Sequence, residues 1–443
     1  MSKPAKAIKA RDRDTIIQAL SAGVVPRVGL PYIQVGRAAE TSALLRDIDR
    51  IADAGSAIRF VIGEYGAGKT FFANLVRLIA LERKCVTVHA DLAPDRRVHA
   101  SGGQARGLYS EAIRNMATRN KPEGNALASV VERLVTDAVK EGSDRKIAVE
   151  TVIDEKLAPI RDFVGGYDFA TVLKAYWRGS ETSDEALKTS SLRWLRGEFS
   201  TKTEARKELG VRTIIDDDSV YDSLKSMACL VRVAGYAGML VMFDEMVNIY
   251  KLQNSQARNQ NYEQLLRIVN DGLQGNTVGI GFVMCGTPEF LLDTRRGLYS
   301  YEALQSRLAE NQFATAGLID LSGPVMKLKS LTPEDLIVLL SNIRSVFASG
   351  DPSKNLVPDE ALTAFMDHCN KRIGEAYFRT PRTTVKAFVQ LLSVLEQNPG
   401  SNWRELLGAV QIAEDAPDLA REDEPSSGQN GSGDELSNLR IGS

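Results

Sequence analysis

The sequence predicts an α/β protein: a three-layer P-loop core on a parallel sheet, with a large helical insertion and a small α-helical domain after it. Three observations carry this. The apolar run Ile58-Arg59-Phe60-Val61-Ile62 leads into Gly63-Glu64-Tyr65-Gly66-Ala67-Gly68-Lys69-Thr70 and then into an amphipathic stretch at 71–76. Two later apolar runs, 238–243 and 278–285, end in polar residues, as parallel strands covered on both faces do. Elsewhere the apolar periodicity is mostly helical.

The glycine-rich octapeptide sits between a strand and a helix, the context a phosphate-binding loop needs. Its glycines let backbone N–H groups converge on a polyphosphate, and the helix start adds positive dipole. Lys69 is then placed to reach the β- and γ-phosphates, and the Thr70 hydroxyl to complete a Mg²⁺ shell. Gly63 to Phe71 are the expected contacts of a nucleoside triphosphate such as ATP.

The run Gly238-Met239-Leu240-Val241-Met242-Phe243 ends in Asp244-Glu245. A carboxylate at the carboxyl edge of such a strand can hold Mg²⁺, and its neighbour can orient and deprotonate an attacking water. Asp244 is assigned to the metal and Glu245 to the water. The third run ends at Gly286-Thr287-Pro288-Glu289. Thr287, at the tip of the next core strand, is a candidate to sense the γ-phosphate. Thr before Pro is also a helix N-cap pattern, and the two roles are compatible.

Together these elements resemble an AAA+ ATPase of the branch that includes origin-recognition and transposition ATPases. Val35-Gly36-Arg37, followed by Glu40, is similar to the segment that lines the base pocket in that branch. The resemblance implies that Arg307 is an arginine finger acting on a neighbouring subunit's nucleotide, with Arg295 and Arg296 close enough to compete for the role. It implies that Arg382, in Thr380-Pro381-Arg382, is a second sensor reaching the γ-phosphate from a lid. A homo-oligomer is therefore expected. No counterpart of the winged-helix DNA-binding domain of many such relatives is expected in the stretch after Trp403.

A closer resemblance runs from about residue 11 to 403. Residues 60–70, Ala90-Asp91-Leu92-Ala93-Pro94-Asp95-Arg96-Arg97, Gly286-Thr287-Pro288-Glu289-Phe290-Leu291 and residues 296–304 are similar to the BrxD-type ATP-binding proteins of BREX phage-defence systems. The resemblance implies a cytoplasmic ATPase serving a multi-protein system that acts against foreign DNA. A superfamily-two helicase and DNA are the partners it implies.

Composition is that of an ordinary soluble globular protein, with 43% hydrophobic and 25% charged residues. A net charge of −2 excludes a globally basic nucleic-acid binder but leaves room for a local DNA-facing surface. The four cysteines show no CxxC spacing, and the three histidines are too few for a His-based metal centre. No apolar stretch reaches about 18 residues, so no membrane span is expected.

The expected organisation is a basic arm and short helix at 1–30, a nucleotide-binding core at 31–330, a helical lid at 331–412 and a disordered acidic tail at 413–443. The core carries a mainly helical insertion at about 100–235. The tail is rich in Asp, Glu, Ser and Gly and buries too little apolar area to offset its ordering entropy. The locally basic stretch 190–215 is a candidate partner or DNA face. Thr332-Pro333-Glu334-Asp335 is a strong helix opening for the lid.

Overall fold

The structure, a computed structural model, describes residues 8–409 apart from 162, 164, 312, 314–319 and 374–380. Thr380, the expected acidic tail and the start of the basic arm lie outside the described residues. Five strands, β1 (Ser56–Ile62), β2 (Val86–Asp91), β3 (Met239–Asp244), β4 (Ile280–Gly286) and β5 (Val325–Lys327), form one parallel sheet in the order β2-β3-β4-β1-β5. Every residue of β1 and β4 is buried, which explains why both read as unbroken apolar runs. The register pairs Ile62 with Gly286 and Asp91 with Asp244, so the carboxyl ends of four strands meet along one edge.

Helices cover both faces. On one, α3 (Ala38–Ala52) and α4 (Lys69–Glu82) bury Leu44, Ile48, Phe72 and Val76 against Val61, Leu240 and Val283. Arg59, inside β1, also lies on this face. Its guanidinium takes Asp47 of α3 through two nitrogens, at 2.5 and 3.2 Å, with both side chains buried. This forked ion pair ties α3 to the central strand.

The other face carries the insertion between β2 and β3. Its helices run from Gln104–Arg114 to Val220–Val233 and share one continuous apolar core with the sheet. Inside it, buried Asp168 accepts from the backbone N–H groups of Arg212 and Thr213 and from the Thr213 hydroxyl at 2.5 to 3.1 Å. In the basic stretch, Arg193 pairs with Glu204 and Glu208, while Lys202, Arg206, Lys207 and Arg212 are exposed.

A second apolar core gathers the helices Pro333–Phe347, Asp359–Ile373, Pro381–Gln397 and Trp403–Ala409. Thr332 caps the first through a complete capping box with Asp335. The amino-terminal helices join this group: α1 (Ala10–Ser21) inserts fully buried Ile16, and α2 (Leu30–Ile33) inserts Ile33. The Nε of Arg13 donates to the Phe347 carbonyl at 2.9 Å. Among the described residues, α1 and α2 are thus packed with the last helices. No helix among the described residues is long and apolar enough to cross a membrane.

Candidate nucleotide site

Between the sheet edge and the second helical group lies a cavity of about 740 Å³, within the usual range for a small-molecule site. Its wall includes Tyr65, Gly66, Ala67, Gly68, Lys69, Thr70 and Phe71 from the loop and the start of α4. Gly66 and Gly68 hold φ of +80° and +82°, a region that residues bearing Cβ rarely enter. The Lys69 ammonium folds back onto the loop and donates to the carbonyls of Gly63 at 2.8 Å and Glu64 at 3.0 Å. Gly63 and Glu64 thus orient the lysine although they are not on the cavity wall themselves.

Opposite, Thr70 Oγ1 donates to Asp244 Oδ2 at 2.9 Å, joining α4 to the tip of β3. Asp244 Oδ1 accepts from the backbone N–H of Glu245 at 2.8 Å. Glu245 has φ of +56°, a left-handed conformation uncommon for a residue with a side chain. The turn is held by Met246 N–H donating to the Cys285 carbonyl and by Asn248 Nδ2 donating to the Leu92 carbonyl. Such backbone strain concentrates at functional sites. Partial burial raises the Glu245 carboxyl above its ordinary range; Asp244 and Asp91 add repulsion, and Lys69 and Lys251 oppose it.

Asp91 completes this corner, and sequence reasoning assigned it no role in the site. It ends β2 in register with Asp244 and lines the cavity, and its carboxyl is raised by burial first and Asp244 second. The signal lay in its position, since it terminates an apolar strand as Asp244 does.

Val35, Arg37 and Arg382 lie on the cavity wall; Gly36 does not, and stands next to Asp335. An Arg37 nitrogen donates to the Ala67 carbonyl at 3.1 Å, fastening the pre-loop segment to the loop. Thr287 follows Gly286, the neighbour of Ile62 at the sheet edge, and its hydroxyl is buried without a hydrogen-bond partner. It makes no side-chain cap on helix Pro288–Leu292, so the capping half of the sequence expectation is not realised. Arg307 lies off the cavity, donating through Nε to Asn270 and through a terminal nitrogen to the Ala303 carbonyl at 2.8 Å. Arg296 is engaged internally with the Tyr250 and Leu252 carbonyls and the Tyr250 ring, whereas the Arg295 side chain is exposed.

A glycine-rich loop between a parallel strand and a helix, facing an acid pair on a neighbouring strand tip, defines a P-loop nucleotide-binding core. The chain belongs to a family of that class: the model of the BREX system ATP-binding protein BrxC/D family matches residues 8–411. It is accordingly an ATP-binding protein of the BREX phage-defence systems. No curated protein matches the chain.

Proposed function

We propose that the protein is a Mg²⁺-dependent ATPase of the AAA+ class, with the carboxyl-terminal helical group as its lid and the site shared between subunits of a homo-oligomer. The convergence of Lys69, Thr70, Asp244 and Glu245 on one cavity carries this reading. The donor set fits Mg²⁺, which favours one or two protein oxygens plus phosphate and water over an all-protein cage. Thr70 and Asp244 supply such oxygens, and no cluster of three metal-binding side chains exists among the described residues. When bound, the ion neutralises charge on the β- and γ-phosphates.

The chain's own residues do the rest. Lys69 exchanges its loop carbonyls for phosphate oxygens. Glu245 orients water and takes its proton, and a raised carboxyl is the better base. Thr287 is not on the cavity wall, and its sensor role rests on the family resemblance and on a buried hydroxyl that lacks a partner beside the sheet edge. Arg382 reaches the nucleotide from the lid, and Val35 and Arg37 border the base. Arg307 lies away from its own chain's cavity, which fits a finger that acts on a neighbour. Hydrolysis then changes subunit contacts and couples nucleotide state to DNA or a helicase partner in the cytoplasm.

The shared site is tested by mixing. Arg307→Ala and Lys69→Ala are each expected to be inactive alone, and their mixture to recover turnover because some interfaces pair an intact loop with an intact finger. Full activity of Arg307→Ala alone removes the shared site. The position of Arg307 also favours a second reading, a nucleotide-gated scaffold that turns over rarely and recruits other defence proteins. Negligible wild-type turnover with DNA and the helicase present would select it.

A further inference from the structure

We propose that the cavity holds a second oxyanion subsite, separate from the phosphate loop, formed by Arg27, Arg77 and His89, and that it takes a phosphate-class dianion. The proposal rests on the nucleotide reading only for the loop as the first subsite.

Thr70, Asn74 and Arg77 fall on one face of α4 at i, i+4 and i+7, and all three line the cavity. At 1.5 Å per residue Arg77 lies ~10 Å down the helix from Thr70. His89 lies two residues, ~7 Å, back along β2 from Asp91. A phosphate at Lys69 therefore does not reach this end, yet the wall is continuous with it.

Arg77 is only 5% exposed. A buried guanidinium needs partners for its five N–H donors. One nitrogen donates to the Pro122 carbonyl, but Nε is buried with no partner. No carboxylate among the described residues forms an ion pair with Arg77. Burial lowers its pKa, the charge of Arg27 lowers it further, and Glu123 compensates least.

The His89 imidazole faces the same space, with Nδ1 buried and unpartnered. Burial first, then Arg77 and Arg27, push its pKa down to about 4, so it stands neutral and can donate one N–H. Arg27 arrives on the exposed connector after α1, beside buried Pro26. Two guanidiniums that repel each other around an uncharged imidazole lack an anion, and the arginine fork matches phosphate oxygens. Inorganic phosphate and a further phosphate on the nucleotide's ribose share that chemistry.

The chain has three histidines, so histidine-selective NMR reads His89 directly. Inorganic phosphate is titrated into full-length protein saturated with ADP, which occupies the loop, and then into nucleotide-free Lys69→Ala. A saturable His89 shift is expected in both, with His99 unmoved. Affinity is expected to fall about tenfold in Arg77→Gln and in Arg27→Gln, the latter an exposed change that leaves the fold intact. Displacement of phosphate by 3′-phosphoadenosine 5′-diphosphate, but not by ADP, identifies a nucleotide-borne phosphate as occupant. Its failure to displace identifies the free anion. Absence of a His89 response to either ligand overturns the subsite, as does a response unchanged in both arginine variants. Failure of ADP to bind wild type would instead refute the nucleotide reading and leave the phosphate result standing.

Discussion

Thr70 Oγ1 donates to Asp244 Oδ2 at 2.9 Å, across 174 residues of sequence. The contact joins the two oxygens assigned to the metal and fixes the spacing between loop and strand tip. Asp244→Asn keeps the shape but removes the charge. The Mg²⁺-dependent gain in ATP affinity is expected to shrink about tenfold or more. Titration of a fluorescent ATP analogue with Mg²⁺ and with EDTA reads this, and an unchanged gain would dissociate Asp244 from the ion.

Asp47→Ala leaves Arg59 buried without its carboxylate. Breaking such a pair costs about 3–5 kcal/mol. The urea midpoint should fall accordingly, while the double change Asp47→Ala with Arg59→Met recovers most of the loss because no charge is left unpaired. If the double variant is as unstable as the single one, packing rather than charge governs the site.

His89 sets a pH dependence. Its ordinary pKa of 6.5 is lowered to about 4 in the folded chain, so below 6.5 the unfolded state binds the extra proton. Stability from this group is full above pH 6.5 and is lost as pH falls toward 4. The loss is about 2 kcal/mol at pH 5. Urea unfolding at pH 7 and pH 5 should show His89→Gln losing about that much less than wild type. Equal losses would place a charged histidine in the fold.

Arg382 projects from the start of helix Pro381–Gln397 onto the cavity wall. Arg382→Ala should lower turnover about tenfold or more while leaving ADP affinity nearly unchanged, since the role assigned to it is contact with the γ-phosphate alone. Equal weakening of ATP and ADP binding would make it a general phosphate or base contact.

The loop and the acid pair were legible in sequence because each is local: residues 63–70 carry their own geometry, and Asp244-Glu245 ends an uninterrupted apolar run. Asp91 ends an apolar strand as Asp244 does, but that the two stand side by side needed strand register, which no single segment encodes. Arg77 was illegible for a similar reason, since a helical arginine reads as solvated until the packing of α4 buries it; Arg27, exposed on the connector after α1, carries no local signal that it borders the cavity. The helical group after 331 was legible from its caps, but the docking of α1 into its core was not, because Ile16 shows only that α1 has an apolar side. Arg307 was singled out only through the family resemblance; where its side chain points depended on Asn270, 37 residues earlier.

The most direct test compares ATP binding with steady-state turnover in Glu245→Gln and wild type, with Mg²⁺, DNA and the proposed helicase partner present. ATP affinity should stay within about threefold while turnover falls about 100-fold or more, the loss of a proton acceptor from an intact site. Turnover equal to wild type would contradict the account, because the acid beside Asp244 would then have no part in the chemistry.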